Sequence, residues 1–414
     1  MRPTVGIICE YDPFHRGHAR QFALVREKLP DARIVCVMSG CFTQRGSAAL
    51  FAPAFRARAA LDAGASLVLE LPCAFALREA ENFALGGIAL LDRLGFVTHV
   101  SFGCEDDDLP FLQTAAALLE SPTPSFTAAL HAALAQGKSF AAAQAQAVAA
   151  GLHGGMAGCA QRGAAPDTSA PAQPQSAAIA ATLQALQKPN NILGICYLRA
   201  LRRLGSALTP LPVRRIGDYH APSLAADGFP SASATRAAYL AGDILAAEAA
   251  CGYPLTGVVH HPPAALDPLL LHTLRTMDTC QLRALPDCTE GLENRLARAA
   301  RQATDRAMLL SLLKTRRYAR ARLNRLLSHA LLGMTAELLA WQPLPDYARL
   351  LGFRQADADC MAHLRSSGIR ILAKAAHGDR SDPLFALDLR AYDLWALGAG
   401  LPAGMMLTQP VAIA

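Results

Sequence analysis

Long apolar runs are absent from this sequence. A helix that crosses a bilayer needs about 20 consecutive, mostly apolar residues. The uncharged tail from Leu394 onward is broken by three glycines and two prolines. A secretory signal peptide begins with a basic region followed by an apolar core, but here Arg2 leads directly into a short predicted strand. We therefore expect neither a membrane anchor nor a signal peptide.

The cysteines show no pattern of pairing. None of the eleven belongs to a C-x-x-C pair, and their spacing is not that of a metal site. Cys9, Cys36, Cys73 and Cys104 lie in or beside predicted strands, which is typical of reduced, buried thiols. We expect a cytoplasmic protein, and the sequence assigns no metal ligands.

A strong excess of charge is absent as well. The formal net charge is only +6 over 414 residues, so the placement of basic residues says more about a partner than their number does. Apolar residues make up 52% of the chain, which is ample for a large core. The length is typical of two or three domains.

Strands and helices alternate in the first part of the chain. Apolar runs predict strands at residues 5–9, 32–38, 66–71 and 98–102, with helical segments between them. This order predicts an α/β fold, a Rossmann-like domain with a parallel sheet and right-handed crossovers. Ligands of such sheets bind beyond the carboxyl ends of the strands. Several chemically useful residues should meet at that edge: His15, His18, Ser39, Gly40, Arg45 and Gly103.

The first strand leads into a helix through the motif H-x-G-H. A helix N-terminus offers unpaired N–H groups and a partial positive charge, which suit a phosphate. Gly17 permits close approach of a ligand to the backbone. His15 and His18 can donate hydrogen bonds that strengthen as charge develops in a transition state. The alternative is a helix cap with two incidental histidines.

Further motifs follow in a fixed order along nearly the whole chain. They are EYDPFHRGH (10–18), MSGCFTQRG (38–46), LVLELP (67–72), SFGCE (101–105), KPNNILGICYLRAL (188–201), RRIGDYH (214–220), SASATR (231–236), EGLENRL (290–296), KTRRYARARLNRLLSHALLG (314–333) and LPDYARLLGF (344–353). The chain thereby resembles the tRNA-Met cytidine acetate ligase family of the nucleotidyltransferase superfamily.

The resemblance implies an ATP-dependent ligase with two half-reactions. Acetate is activated as acetyl-adenylate with release of pyrophosphate. The acetyl group then passes to the wobble cytidine of elongator tRNA-Met, giving N4-acetylcytidine. ATP is the expected substrate, with Mg²⁺ as its counter-ion. Two other classes remain open: an adenylyltransferase that acts on a small molecule, and a catalytically silent RNA-binding protein.

The resemblance also implies a set of site residues. The catalytic pair would be His15 and His18, acting as electrostatic stabilisers, because acetate is already an anion at neutral pH and needs no base. The ATP-binding residues would be Ile8, Cys9, Glu10, Tyr11, Asp12, Pro13, Phe14, His15, Arg16, Gly17, His18, Ala19, Arg20, Gln21, Gly103, Asn190, Arg215 and Ile216.

A second phosphate-binding segment is expected at the start of a later helix. Its residues would be Ser231, Ser233, Thr235 and the cation Arg236, although an ordinary N-cap explains the same pattern. The family has asparagine where Asp12 and Arg16 stand here. The acidic Asp12 is unfavourable near a triphosphate unless it is paired or lies near Mg²⁺, and Arg16 is the expected compensating charge.

The most basic block of the chain lies in the C-terminal half. Spacings of three and four residues place much of its charge on one side of a helix, so we expect it to bind tRNA phosphates, the alternative being a solvated helix face. Its members are Lys314, Arg316, Arg317, Arg320, Arg322 and Arg325.

The expected domains are an ATP-binding domain at 1–250 and a mainly helical, tRNA-binding region at 251–414. Within the first, the composition of residues 151–178, rich in Gly, Ala, Pro, Ser and Gln, predicts a disordered insertion.

Overall fold

The computed structural model describes residues 2–105, 108–138, 140–160, 180, 182–214, 230–315 and 318–414. Contacts divide the chain into two compact units. The first unit comprises Met1–Ser101 and Ile216–Ala414, and the second comprises Phe102–Arg215.

The strands are β1 (Thr4–Cys9), β2 (Arg33–Ser39), β3 (Leu67–Leu71), β4 (His99–Cys104), β5 (Thr209–Arg214), β6 (Tyr347–Phe353), β7 (Arg370–Leu372) and β8 (Ala412–Ile413). In the first unit the order across the sheet is β4-β1-β2-β3-β6-β7, with β8 beside β6. Strand β6 runs antiparallel to β3, whereas β1 is parallel to both β2 and β4. Strand β4 continues into the second unit, where β5 lies next to it.

The helices of the first unit are α1 (Arg16–Lys28), α2 (Pro53–Asp62), α3 (Cys73–Ala76), α4 (Ala80–Arg93), α9 (Ala232–Leu240), α10 (Ile244–Cys251), α11 (Asp267–Thr276), α12 (Thr279–Arg283), α13 (Leu292–Gln302), α14 (Arg306–Leu313), α15 (Arg320–Leu332), α16 (Ala336–Trp341), α17 (Cys360–Arg365), α18 (Pro383–Gly398) and α19 (Met405–Thr408). The helices of the second unit are α5 (Leu109–Glu120), α6 (Pro124–Ala135), α7 (Phe140–Ala160) and α8 (Pro189–Leu204). Short 3₁₀ helices occupy Gln355–Asp357 and Ala375–His377.

The centre of the sheet explains why the predicted strands form. Every residue of β1, β2 and β3 is buried, as expected for parallel strands covered on both faces. Helix α4 lies very close to β1, since a Cβ on Gly87 would come within 2.5 Å of Ile8 Cδ1. The four predicted strands and the Rossmann-like α/β fold are confirmed. Strand order reverses between β1 and β4, and such a reversal is where ligands of open α/β sheets bind.

The region after residue 250 is mainly helical, as predicted, but it also supplies β6, β7 and β8 to the same sheet. Arg349 on β6 and Glu70 on β3 form a buried ion pair, with Nε and Oε2 2.5 Å apart. The predicted boundary at residue 250 is therefore wrong, because it separates strands that hydrogen-bond to one another. The mostly apolar run Tyr347–Phe353 could have predicted β6, since it has the pattern of a buried strand.

Helix α15 also packs against the loop that follows β2. Gly46 has φ +80°, and a Cβ there would lie 2.3 Å from the backbone nitrogen of Arg325. The Gly46 carbonyl accepts hydrogen bonds from Ser328 Oγ at 3.1 Å and from an Arg306 Nη atom at 2.6 Å. This loop and this helix are consequently one packed structure.

The prediction of a disordered insertion at 151–178 is wrong for residues 151–160, which are helical. Helix α7 continues through residues 151–160. The helix begins at Phe140, in the alanine-rich segment before residue 151. Extending an existing helix is easier than starting one, and this offsets the low helix propensity of the glycines in 151–160. Residues 161–178 lie outside the described residues.

The described residues bear on the expected absence of a membrane anchor and on the state of the cysteines. Within them, no helix combines the length and the apolar character needed to cross a membrane. Ten cysteines, all except Cys159, are free thiols, and of these ten only Cys280 is exposed.

Candidate active site

The H-x-G-H motif forms the N-terminus of α1. His15 is the N-cap, and its Nδ1 accepts a hydrogen bond from Gly17 N–H at 3.1 Å. His18 Nδ1 accepts in return from His15 N–H at 3.2 Å. The two histidines thus make a reciprocal capping box. The two histidines therefore do cap the helix, as the alternative interpretation predicted, but they do so through Nδ1 only. The Nε2 atom on the opposite edge of each ring takes no part in the cap.

These hydrogen bonds determine the tautomer of both histidines. A ring nitrogen that accepts a hydrogen bond has no proton, so the proton of each neutral imidazole is on Nε2. The two rings are stacked with centroids 3.8 Å apart. Tyr11 and Phe14 pack against His18, with centroids 4.7 and 5.5 Å away. The motif therefore presents two oriented Nε2–H donors.

A second helix N-terminus lies beside the first. A Cβ on Gly17 would be 3.7 Å from the carbonyl oxygen of Pro230, immediately before α9. Ser231 is the N-cap of α9 and accepts from Ala234 N–H at 3.1 Å, while Thr235 Oγ1 donates to the Ser231 carbonyl at 2.9 Å. The N-cap interpretation of Ser231 is confirmed. Two helix N-termini that converge in this way provide a site suited to anions.

Asp12 is paired, but its partner differs from the expected one. Arg236 Nη1 lies 3.4 Å from Asp12 Oδ2 and also donates to the Asp12 carbonyl. Leu50 N–H donates to Asp12 Oδ1 at 2.7 Å. Arg16, the expected partner, is exposed and lies beside Gly252. The compensating cation therefore comes from the second phosphate-binding segment, in which Arg236 also donates to the exposed Ser233 at 3.3 Å.

Glu10 is held by the loop that follows β2. Its Oε1 accepts from Gln44 N–H at 2.6 Å. Burial raises the pKa of the Glu10 carboxyl, as does the charge of Asp12, whereas Gln44 N–H, Arg45 and Arg236 lower it. Glu10, Asp12, Arg45 and Arg236 consequently form one electrostatic group at the carboxyl end of β1.

The structure adds an important residue that the sequence analysis missed. Arg56, fully buried in α2, directs its guanidinium at four main-chain carbonyls. These belong to Glu10, Ser39, Gly40 and Phe51. One buried cation thus ties together the ends of β1 and β2, where the candidate site is. The run PAFRARAALD gave no sign of this, because an arginine in an alanine-rich helix is usually exposed.

The other predicted ATP-binding residues of the first unit have varied surroundings. Ile8 and Cys9 are buried in β1, and Cys9 Sγ donates to the Val37 carbonyl at 3.7 Å. Pro13 is buried in the turn before the motif, whereas Ala19, Arg20 and Gln21 are half-buried on α1. Gln21 Nε2 donates to Ser101 Oγ at 3.3 Å.

The predicted residues of the second unit are organised by an acidic side chain. Glu105 receives hydrogen bonds from the N–H groups of Asn190 and Asn191 at 3.2 and 2.9 Å. Asn190 Nδ2 also donates to it at 2.6 Å. The start of α8 is therefore capped by a carboxylate, a residue that the sequence analysis did not single out. Gly103 is half-buried in β4. Arg215 and Ile216 lie outside the described residues.

The basic block is not one continuous charged face. Arg322 donates to the Asp287 carbonyl at 2.8 Å and lies over the buried ring of Tyr318. Arg325 is buried, which lowers its pKa, and donates to the Gln44 carbonyl at 3.4 Å. Both residues make structural contacts in the conformation described, and their binding to tRNA stays a prediction.

The remaining members of the block differ from one another. Lys314 Nζ donates to two carbonyls of its own loop, those of Thr315 and Tyr318. Arg320 is exposed at the start of α15. Arg316 and Arg317 lie outside the described residues.

A divalent cation needs several oxygen, nitrogen or sulfur ligands close together. Among the described residues, no group of three or more His, Cys, Asp or Glu side chains could hold a metal ion. Asp12 already binds Arg236 and Leu50 N–H, and Glu10 binds Gln44 N–H. These residues do not make a metal site of their own.

Comparisons with known proteins agree on one family. A family model described as HIGH Nucleotidyl Transferase matches residues 2–403. The tRNA(Met) cytidine acetate ligase of Acetivibrio thermocellus is 31% identical, with 99% of both chains covered, and that of Clostridium perfringens is 30% identical, with 94% of both covered. The crystal structure of Thermotoga maritima TmcAL bound with alpha-thio ATP is 25% identical, with a TM-score of 0.82 and 99% of both chains covered. A pair of oriented histidines on a Rossmann-like sheet, in a chain similar to these proteins along its whole length, leads to one conclusion: the chain belongs to the family of tRNA(Met) cytidine acetate ligases.

Proposed function

We propose that this protein activates acetate with ATP and transfers the acetyl group to the wobble cytidine of elongator tRNA-Met, forming N4-acetylcytidine. The observation that supports this most is the pair of Nε2–H donors from His15 and His18 at the N-terminus of α1. Full-length similarity to tRNA(Met) cytidine acetate ligases supplies the identity of the substrates.

In the first half-reaction, an acetate oxygen attacks the α-phosphorus of ATP and pyrophosphate leaves. Negative charge grows on the phosphate oxygens, and fixed hydrogen-bond donors stabilise it. His15, His18 and the N–H groups at the start of α1 are the proposed donors, within the predicted ATP-binding segment Ile8–Gln21. The N-terminus of α9 adds a second source of positive potential.

Several parts of the proposal rest on the resemblance alone. Gly103, Asn190, Arg215 and Ile216 stay predicted ATP-binding residues. Mg²⁺ stays a predicted counter-ion of ATP, where it would neutralise phosphate charge. Cytoplasmic location also stays a prediction.

The decisive assay is acetate-dependent exchange of pyrophosphate into ATP, measured with and without tRNA. We expect exchange without tRNA and formation of N4-acetylcytidine when elongator tRNA-Met is added. Exchange that depends on another small molecule instead of acetate would indicate the alternative adenylyltransferase. Binding of tRNA without any exchange would indicate a silent RNA-binding protein.

Charge reversal at Arg317 and Arg320 should separate the two half-reactions. Phosphate contacts supply affinity rather than sequence choice, so the double variant Arg317→Glu, Arg320→Glu should retain exchange and lose tRNA acetylation at low tRNA concentration. The defect should shrink as tRNA is raised. The salt dependence of tRNA binding should become shallower by about one unit for each lost phosphate contact.

A matched control is available for this test. Arg365 and Arg380 are exposed arginines of the same unit, and the variant Arg365→Glu, Arg380→Glu changes the net charge equally. If both double variants weaken tRNA binding alike, the effect comes from net charge and the proposed surface is wrong. If exchange falls together with acetylation, the basic block has a structural role.

A further inference from the structure

Glu10 is held by hydrogen bonds at one carboxylate oxygen and at its main-chain carbonyl. It follows the last residue of β1, at the edge of the sheet where the two histidines lie. Its Oε1 is fixed by Gln44 N–H at 2.6 Å, and its main-chain carbonyl is fixed by Arg56 Nη1. The hydrogen bonds found among the described residues involve only one of its two carboxylate oxygens. The side chain is half-buried, so it is not sealed in the core.

A second observation at the same place points to a ligand. The carbonyl of Ser39, at the end of β2, binds the same Arg56 Nη1 as the carbonyl of Glu10. The Ser39 hydroxyl is fully buried and finds no hydrogen-bond partner among the described residues. Buried hydroxyls normally have a partner, so this edge is short of one polar group that a bound molecule could supply.

We propose that Oε2 of Glu10 accepts a hydrogen bond from the N4 amine of the substrate cytidine and takes its proton during acetyl transfer. The inference rests on the proposed function and adds a catalytic and selective role to a residue of the predicted ATP-binding segment.

The step balances without another reactant. The N4 amine attacks the carbonyl carbon of acetyl-adenylate, and a C–N bond forms. One N4 proton moves to Glu10 Oε2. The bond between the acetyl carbon and the phosphate oxygen then breaks, and AMP leaves with that electron pair. Glu10 afterwards returns its proton to solvent.

The chemistry of a carboxylate suits both parts of this role. The N4 group of cytosine is a donor, and Glu and Asp are the side chains that accept from it. Uridine has an acceptor oxygen at the same position, which a carboxylate repels. The exocyclic amine is a weak nucleophile because its lone pair is delocalised into the ring, so loss of its proton in the transition state assists attack. General base catalysis of this kind typically contributes about 100-fold or more.

The surroundings keep the carboxylate basic and fixed. Burial raises the pKa of Glu10, the carboxylate of Asp12 raises it further, and Gln44 N–H, Arg45 and Arg236 lower it. A base acts in its deprotonated form, so acetyl transfer should slow as the pH falls through this raised pKa.

The test is the variant Glu10→Gln, whose amide oxygen can still accept from Gln44 N–H and so maintain the loop. We expect acetyl transfer from preformed acetyl-adenylate to tRNA to fall about 100-fold more than acetate-dependent pyrophosphate exchange. The decline of transfer at acidic pH should disappear. Glu27→Gln, at an exposed position on α1, is the matched control and should change neither reaction.

Two results would overturn the inference. One is transfer by Glu10→Gln at the wild-type rate with an unchanged pH profile. The other is an equal loss of exchange and transfer, which would place Glu10 with ATP or with the loop only. The absence of acetate-dependent exchange in the wild-type protein would instead refute the proposed function, so the two failures are distinguishable.

Discussion

His18→Ala is expected to lower acetate-dependent pyrophosphate exchange by about 100- to 1000-fold, the usual loss when one preorganised donor to a developing charge is removed. The ring of His18 is held by His15 N–H at Nδ1 and by packing against Tyr11 and Phe14. Its Nε2–H is therefore oriented before ATP binds and does not need to be ordered during the reaction.

A second substitution separates chemistry from folding. The amide oxygen of His18→Asn can accept from His15 N–H in place of Nδ1, but this side chain has no group at the position of Nε2–H. It should keep the capping box, melt at a higher temperature than His18→Ala, and lose exchange as His18→Ala does. His272→Ala, at an exposed position on α11, serves as the control. Normal exchange in His18→Asn would show that His18 acts only as a cap.

Gly46→Ala should destabilise the protein by roughly 2–5 kcal/mol. A non-glycine residue in the left-handed region costs about 1–2 kcal/mol, and overpacking typically adds about 1–3 kcal/mol. The added Cβ would lie 2.3 Å from the backbone nitrogen of Arg325 and 2.4 Å from the carbonyl carbon of Asn324. Backbone atoms within a helix cannot move aside as the end of a flexible side chain can. Urea denaturation would measure the loss.

Gly95 and Gly242 allow the two contributions to be separated. Each has a positive φ, +75° and +86°, with nothing within 4 Å of an added Cβ. Gly95→Ala and Gly242→Ala should therefore show only the backbone cost of about 1–2 kcal/mol. If Gly46→Ala is no worse than these controls, the loop after β2 and α15 are not packed as described. The Gly46 variant should also impair acetyl transfer more than exchange, because Gln44 in the same loop holds Glu10.

Much of the first unit could be predicted from sequence. The apolar runs of β1, β2 and β3 are buried on both faces, so their pattern needs no knowledge of the partner strands. The H-x-G-H turn and the serine that begins α9 are local features as well, set by hydrogen bonds between residues at most four positions apart.

The arginines show where such prediction fails. In sequence, Arg56, Arg236 and Arg325 are cations on helical segments, and two of them were assigned to phosphates. In the structure, Arg56 binds main-chain carbonyls, Arg236 pairs with Asp12, and Arg325 is buried against Gln44. Gly40 lies 16 positions from Arg56, Asp12 lies 224 positions from Arg236, and Gln44 lies 281 positions from Arg325. Hydrophobic periodicity describes only neighbouring residues, so it cannot predict contacts between residues this far apart in the chain.

The sequence by itself determined the elements, the strand-to-helix junction and the order of the family motifs, because hydrophobic periodicity, caps and turn residues act over a few positions. Only the tertiary structure decided which charges are available to a ligand. A buried guanidinium must find acceptors wherever the fold places them, so Arg56 and Arg325 became structural while Arg320 remained exposed. The same long-range packing placed β6 beside β3 and α15 against Gly46. The C-terminal part of the chain thereby supports the loop and the strands that carry the candidate active site.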